Sequence, residues 1–500
     1  MGLPLAINEV ENRLYINGEF VPSSDGKTFT VKSPYSYEAV ATVYEATEND
    51  TNRAVAAAKA AFPAWSALDP HERGAYLSRL ATLVRDSHTE LATLDALCMG
   101  RPVSSYFDAH YSANIYDHYA QAGFDAKGQT SLNTKGHMNF TLRQPIGVVG
   151  AIIPWNVPVV LFAHKVAPAL AAGCTIVLKS SEKAPLSSLK LASLIHAAGF
   201  PPGTVNVLSG FGNPSGSMLS SHMDVRLINF TGSVATGRHV SAAAARSNLK
   251  KVILELGGKS PALIFEDADI EQASTETVMS MRLLSGQACI ANSRIYVQKS
   301  VAPAFLAAFR AKFEDVKCGD PLDPATTQGP QADGIQFERI NHYIALGNEA
   351  MGKTDAGAKQ QQPPSTTNSR GNGNSKISGF FIPPTIFTSV PESAPSMRDE
   401  IFGPVVHINT FATEAEAVQK ANDTEFGLYA SVYTRDLDRA MRVARALESG
   451  TVGINCTSPT IAGDMPFGGY KGSGIGREGF GYSLDNYLET KSVLLRVRDE

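Results

Sequence analysis

Four short runs in the first half of the chain are apolar almost throughout, with no alternation of apolar and polar residues. They are Val148-Val149-Gly150-Ala151-Ile152-Ile153, Thr175-Ile176-Val177-Leu178-Lys179, Val205-Asn206-Val207-Leu208 and Leu227-Ile228-Asn229-Phe230. A strand with one wet face alternates; a strand that does not is covered on both faces, which is the condition of a parallel sheet between layers of helix. Helical patterns run between them, and the spacing predicts helices over 52–64, 71–87 and 167–172. The fold class is therefore α/β.

Five hundred residues exceed what one core organises, so at least two domains are expected. A second β/α set begins near Ser260-Pro261-Ala262-Leu263-Ile264 and continues through Arg294-Ile295-Tyr296-Val297 and the run at 405–408. The turn-forming Leu256-Gly257-Gly258 marks the boundary. One segment differs in texture. Residues 359–376 are rich in Gln, Asn, Ser, Gly and Pro and cannot bury apolar area, so a disordered insertion is expected there.

A formal charge of −4 argues against a nucleic-acid partner. The most apolar stretch, 148–163, is interrupted by Pro154, Asn156 and Pro158 and is too short to span a bilayer, so no membrane partner is expected. Neither end of the sequence carries a recognisable targeting signal. The five cysteines (98, 174, 289, 318 and 456) are scattered and never spaced as C-x-x-C, which suits a reducing compartment and gives no metal site. A cytoplasmic location is the expectation.

Three segments carry chemistry. Cys289 lies in Gly286-Gln287-Ala288-Cys289-Ile290-Ala291-Asn292-Ser293-Arg294, and Glu255 in Leu254-Glu255-Leu256-Gly257-Gly258-Lys259-Ser260-Pro261. A thiolate can attack a carbonyl carbon, and a carboxylate can later activate the water that releases the product. Asn156, in Ile153-Pro154-Trp155-Asn156, could donate its amide to the oxyanion of that attack. Taken singly, a lone cysteine is most often a core residue, a glutamate a surface residue, and an Asn between prolines an Asx turn. Three long motifs together outweigh those readings.

These motifs resemble the NAD(P)-dependent aldehyde dehydrogenase superfamily, and the resemblance runs from Tyr15-Ile16-Asn17-Gly18 to Glu489-Thr490-Lys491. It implies a Rossmann-type NAD-binding domain (1–126 and 146–257), an α/β catalytic domain (258–480) and a β oligomerisation arm (127–145 and 481–500). It also implies a homodimer or homotetramer. Cys289, Glu255 and Asn156 would be catalytic. There is no G-x-G-x-x-G; instead Phe230-Thr231-Gly232-Ser233 leads from a strand into a helix and could offer backbone N–H groups to a pyrophosphate. By resemblance Phe230, Gly232 and Ser233 would bind the cofactor, with Lys179 and Glu182 on the adenosine ribose. Glu400 and Phe402, in Glu400-Ile401-Phe402-Gly403-Pro404, would stand on the nicotinamide side. A carboxylate at Glu182 would repel a 2′-phosphate and favour NAD. Val157, Leu161, His164, Ile461 and Phe467 would line the pocket for an aldehyde. Several family members have aromatics at the positions of Val157, His164 and Ile461. His164 suits either a polar substrate group or a helix-turn cap.

The chain departs from the family at Leu284, where many members have Asn, and at Arg282-Leu283, which replace an aromatic pair. The insertion and the altered pocket suggest a specialised member in secondary metabolism. The reaction expected is oxidation of an aldehyde to an acid through a thiohemiacetal and thioester on Cys289. The alternatives are a CoA-acylating or semialdehyde dehydrogenase, or a catalytically silent NAD-binding protein.

Overall fold

The computed structural model describes residues 10–352 and 379–498, so the 359–376 insertion lies outside the described residues. The first sheet has eight strands. Its order is Gly474–Ile475, Lys251–Glu255, Val225–Thr231, Val148–Ile152, Thr175–Lys179, Val205–Leu208, Leu14–Ile16 and Glu19–Val21. The five central strands are parallel and the outer ones antiparallel.

The apolar runs behave as covered strands should. Val149, Ala151, Ile176 and Leu178 enter one core with the helices Pro158–Ala171, Leu186–Ala197 and Asp108–Ala122. Their neighbours Val148, Ile152 and Val177 enter another with the helices Glu48–Ala67 and Val234–Arg246. The side chains alternate, but both faces are dry, so the sequence does not alternate.

Local signals fix the helix ends. Thr47 and Asp50 form a capping box ahead of Glu48–Ala67, and Asp69 and Glu72 do the same for Pro70–Asp86. The helix expected over 167–172 is longer and occupies Pro158–Ala171. Pro158 opens it, where a missing N–H removes no intrahelical bond.

The second sheet has six parallel strands in the order Thr385–Thr388, Val405–Phe411, Arg294–Gln298, Pro261–Ile264, Tyr429–Tyr433 and Thr451–Ile454. Gly474–Ile475 falls within the span expected for the second domain, yet it pairs with Leu254 and Glu255 at the edge of the first sheet. A third sheet joins Leu488–Arg496 to His137–Pro145 in antiparallel register, with Thr130–Ser131 beyond. It presents Leu494 and Leu132 to solvent, 71% and 73% exposed. Among the described residues, no helix is long and apolar enough to cross a membrane.

The two main sheets meet end to end. The loop after Glu255 runs from the carboxyl edge of the first sheet straight into Pro261, at the amino edge of the second. Cys289 and Glu400 each precede a second-sheet strand by five residues, so they come from that same amino edge. Asn156, Lys179, Thr231 and Glu255 lie at or just beyond carboxyl ends of first-sheet strands. In open α/β sheets such ends, where the strand order reverses, are where ligands bind.

Arg294 ties this arrangement down. Its buried guanidinium donates to the carbonyls of Lys259 (2.9 Å), Lys420 (3.2 Å) and Ala421 (2.9 Å). Arg294→Leu should strand three buried acceptors and destabilise the protein by roughly 3–5 kcal/mol. The denaturant midpoint should fall accordingly, with Arg294→Lys recovering part of the loss.

Candidate active site

Cys289 follows a turn in which three successive residues, Leu284, Ser285 and Gly286, adopt left-handed conformations (φ 52°, 56° and 79°). Gln287 pins the turn. Its side chain donates to the Leu284 carbonyl (2.9 Å) and accepts from the Ala332 N–H (3.0 Å). Gly286 permits the approach of Gly403, whose carbonyl carbon would lie 2.2 Å from an added Cβ. Gly258 likewise faces the Cys289 carbonyl oxygen, 2.2 Å from where a Cβ would stand.

The three expected catalytic groups line one cavity of about 580 Å³ between the sheets. Asn156 is buried and donates its side-chain amide to the Gln287 carbonyl at 3.1 Å, beside the nucleophile loop. Cys289 is half-buried, and burial, then the nearby Glu400 and Glu255, push its thiol up to about 12. Glu255 is buried, and neither carboxylate oxygen has a hydrogen-bond partner among the described residues. Burial first, then the Glu478 carboxylate, raise it well above the usual carboxylate range.

Glu478 has the opposite fate. Burial works against its charge, but Lys165, at 2.5 Å, and a hydrogen bond from the Asn229 amide at 2.9 Å hold it below its ordinary value. Their surroundings thus push the two acids apart, Glu255 toward its protonated form and Glu478 toward its ionised form.

On the cofactor side, Gly232 and Ser233 line the cavity, and the Ser233 hydroxyl caps the helix Val234–Arg246 by accepting from the Thr236 N–H at 3.3 Å. Phe230 does not join them. It is only 4% exposed in the core, its ring lies beneath Gly232, and it is not part of the cavity wall. Side chains alternate along a strand, so Thr231 reaches the crevice while the Phe230 ring underlies the Gly232 turn. Lys179 is buried at the end of its strand, and burial draws it down to about 8 against the pull of Glu182 and Glu45. Glu182 accepts from the Ser181 hydroxyl at 3.2 Å. Both lie beyond the wall of this cavity. Glu400 accepts from the Gly258 N–H at 2.9 Å, and burial raises it to about 7. Phe402, left-handed at φ 62°, meets Trp155 edge-on at 5.5 Å.

Val157, Leu161 and His164 line the opposite part of the cavity, with Ile461 and Phe467. His164 makes no hydrogen bond among the described residues, so it does not cap a helix turn.

A family model for the aldehyde dehydrogenase family matches residues 20–493. An aldehyde dehydrogenase of Emericella nidulans is 43% identical over 97% of this chain and 95% of its own length. Aldehyde dehydrogenase family 2 member C4 of Arabidopsis thaliana is 41% identical over 97% and 95%. Among solved structures, the NAD+ complex of an aldehyde dehydrogenase from Bacillus cereus superposes with a TM-score of 0.91, at 38% identity over 98% of each chain.

The chain belongs to the aldehyde dehydrogenase family. Several residues of this aldehyde dehydrogenase's cleft escaped the motif reading. Phe107 and Tyr111 come from the helix Asp108–Ala122 and the residue before it, and Leu283, Met465, Glu478 and Phe480 from elsewhere. Phe107 and Tyr111 sit four apart, a spacing any helix face uses, so only the packing of their helix on Pro158–Ala171 reveals them.

The contact at Gly258 yields a direct test. In Gly258→Ala the added methyl must push the Cys289 loop aside, while the helix start at Ser233 stays in place. Cofactor should bind within a few-fold of wild type by fluorescence titration. Turnover should fall by about 100-fold, the scale expected when reacting groups shift by an ångström.

Proposed function

We propose that this enzyme oxidises an aldehyde to a carboxylic acid with NAD+, using Cys289 as nucleophile and Glu255 as the base for hydrolysis. The observation that carries this reading is the convergence of Cys289, Asn156, Glu255 and Glu400 on one cavity. The Cys289 thiol gives up its proton to solvent water, the resulting thiolate adds to the carbonyl carbon, and the π electrons move to the oxygen. The Asn156 amide, with the Cys289 N–H, stabilises that oxyanion. Bound NAD+ supplies the acceptor for the hydride that leaves the same carbon, and a thioester remains on Cys289. Glu255 then takes a proton from water, water adds to the thioester, and the C–S bond breaks to free the acid. Retention of Glu255 favours hydrolysis over transfer to coenzyme A, and retention of both nucleophile and base counts against a silent NAD-binding protein.

The residues present fit such a cofactor. The Thr231 hydroxyl is buried without a partner at the crevice, the helix start at Ser233 offers N–H groups to a pyrophosphate, and Glu400 suits the nicotinamide ribose. Lys179 and Glu182 suit the adenosine ribose. The three-stranded arm, with its exposed Leu494 and Leu132, supports assembly as a homodimer or homotetramer. The scattered cysteines favour the cytosol.

Two variants separate the half-reactions. Cys289→Ala should bind NAD+ normally and form no NADH from any aldehyde. Glu255→Gln should give a rapid burst of NADH in stopped flow followed by slow turnover, with acyl-enzyme visible by mass spectrometry. A Glu255→Gln enzyme with unchanged steady-state rate would remove that residue from the mechanism.

Cofactor choice is open to a ratio measurement. The Glu182 carboxylate opposes a 2′-phosphate, and Lys179 softens that repulsion. Wild type should prefer NAD+ in kcat/KM, and Glu182→Gln should move the ratio toward NADP+ by about 10-fold, the scale of one charge contact.

A further inference from the structure

The substrate half of the cavity is apolar except at one place. Val157, Val160, Leu161 and His164 stand at the i, i+3, i+4, i+7 spacing of a single face of the helix that begins at Pro158, and all four line the cavity. Opposite them, Phe107 and Tyr111 come from the packed neighbouring helix. The His164 and Tyr111 rings lie 6.0 Å apart and tilted by 49°. Neither the imidazole nitrogens nor the Tyr111 hydroxyl has a hydrogen-bond partner among the described residues.

Both side chains are half-buried and line the cavity, so their hydrogen-bonding atoms are free to engage whatever occupies it. Burial, partly opposed by Glu478, draws His164 down to about 4, which keeps the ring neutral at working pH and able to donate and accept. The charged residues of the cavity wall are Glu255, Glu400, Glu478 and Arg339. Arg339 is engaged with the Glu400 carbonyl at 2.8 Å. With Arg339 so engaged, the described cavity wall offers an anionic aldehyde no unpaired cation.

We propose that His164, together with Tyr111, forms a polar anchor at the far end of an apolar chamber, and that the preferred substrate is an uncharged aldehyde whose bulky apolar or aromatic body carries a hydroxyl group to reach it. This rests on the aldehyde-oxidising reading above and names its substrate class. His164 is two helical turns beyond Asn156 in sequence, on the order of 10 Å along the helix. A hydroxyl carried across an aromatic ring from the aldehyde probes a span of that order. The same geometry sets semialdehydes bearing a carboxylate aside.

The test compares 4-hydroxyphenylacetaldehyde with 4-methylphenylacetaldehyde, which match in shape, and with 4-carboxyphenylacetaldehyde. In wild type, kcat/KM should favour the hydroxyl compound over the methyl compound by about 10-fold or more, and the carboxylate compound should be the poorest. In His164→Leu the hydroxyl-to-methyl ratio should fall to about one, whatever the absolute rate with the methyl compound. His164→Asn, which keeps a hydrogen-bonding group, should retain part of the preference. Equal rates for the two compounds in wild type, or an unchanged ratio in His164→Leu, would overturn the proposal. NADH formation from unsubstituted phenylacetaldehyde reports separately on the reaction itself. Should no aldehyde be oxidised, the dissociation constants of the same pair for the Cys289→Ala protein, with and without His164→Leu, still decide whether the anchor exists.

Discussion

The backbone of Gly258 lies so close to the Cys289 carbonyl that a methyl group would stand 2.2 Å from its oxygen. This approach brings the two halves of the chemistry together. Glu255 ends a strand of one sheet, and the loop after it is the first stretch of the other half. Because Gly257 and Gly258 occupy no side-chain volume, the loop can pass under the nucleophile turn and bring Glu400 onto the Gly258 N–H. Gly286 plays the matching part against Gly403. The cleft is therefore a seam of backbone against backbone. Its geometry is stiffer than side chains alone could make it, and groups from two sheets are held with the precision that acyl chemistry demands.

That seam is also electrically poised. Three carboxylates and one thiol share a largely dry space. Lys165 pairs with Glu478 directly, while burial first, and then neighbouring carboxylates, drive Glu255 and Cys289 toward their uncharged forms. Burial thus disfavours the Cys289 thiolate. Positive charge brought into the cleft lowers both groups. The same burial that silences the cysteine at rest makes it responsive when the electrostatics change.

The sequence was most legible where local and global signals agree. The strands Thr175–Lys179 and Val205–Leu208 match the apolar runs, because full burial on both faces leaves no polar alternation to mislead. The motifs around Cys289, Glu255 and Asn156 converge because each follows a strand end or precedes a strand start at the same seam. Motif position does not say which face of a strand a residue takes; the Phe230 side chain lies in the core, and Thr231 faces the cleft. Gly474–Ile475 was unreadable as a strand, since two residues carry no period. Their placement depends on the chain crossing back to pair with Leu254 and Glu255. Tyr111 and Phe107 belong to the same class: nothing near them in sequence announces a site.

The departure at Leu284 shows how such a loop stays folded. A left-handed leucine costs about 1–2 kcal/mol, and Ser285, also left-handed, adds a similar amount. Leu284 is 7% exposed in the second core, and burying a leucine returns about 2 kcal/mol. Ser285 donates to the Gly329 carbonyl at 3.0 Å, worth about 1 kcal/mol more. Strain and compensation are of equal size, so the turn persists without the asparagine that tolerates this conformation more easily. Two neighbouring leucines also divide the loop's labour. Leu283 faces the substrate and Leu284, though it touches the cavity wall, is anchored in the core, so the chamber can vary at one residue while the next keeps Cys289 in register with Gly258.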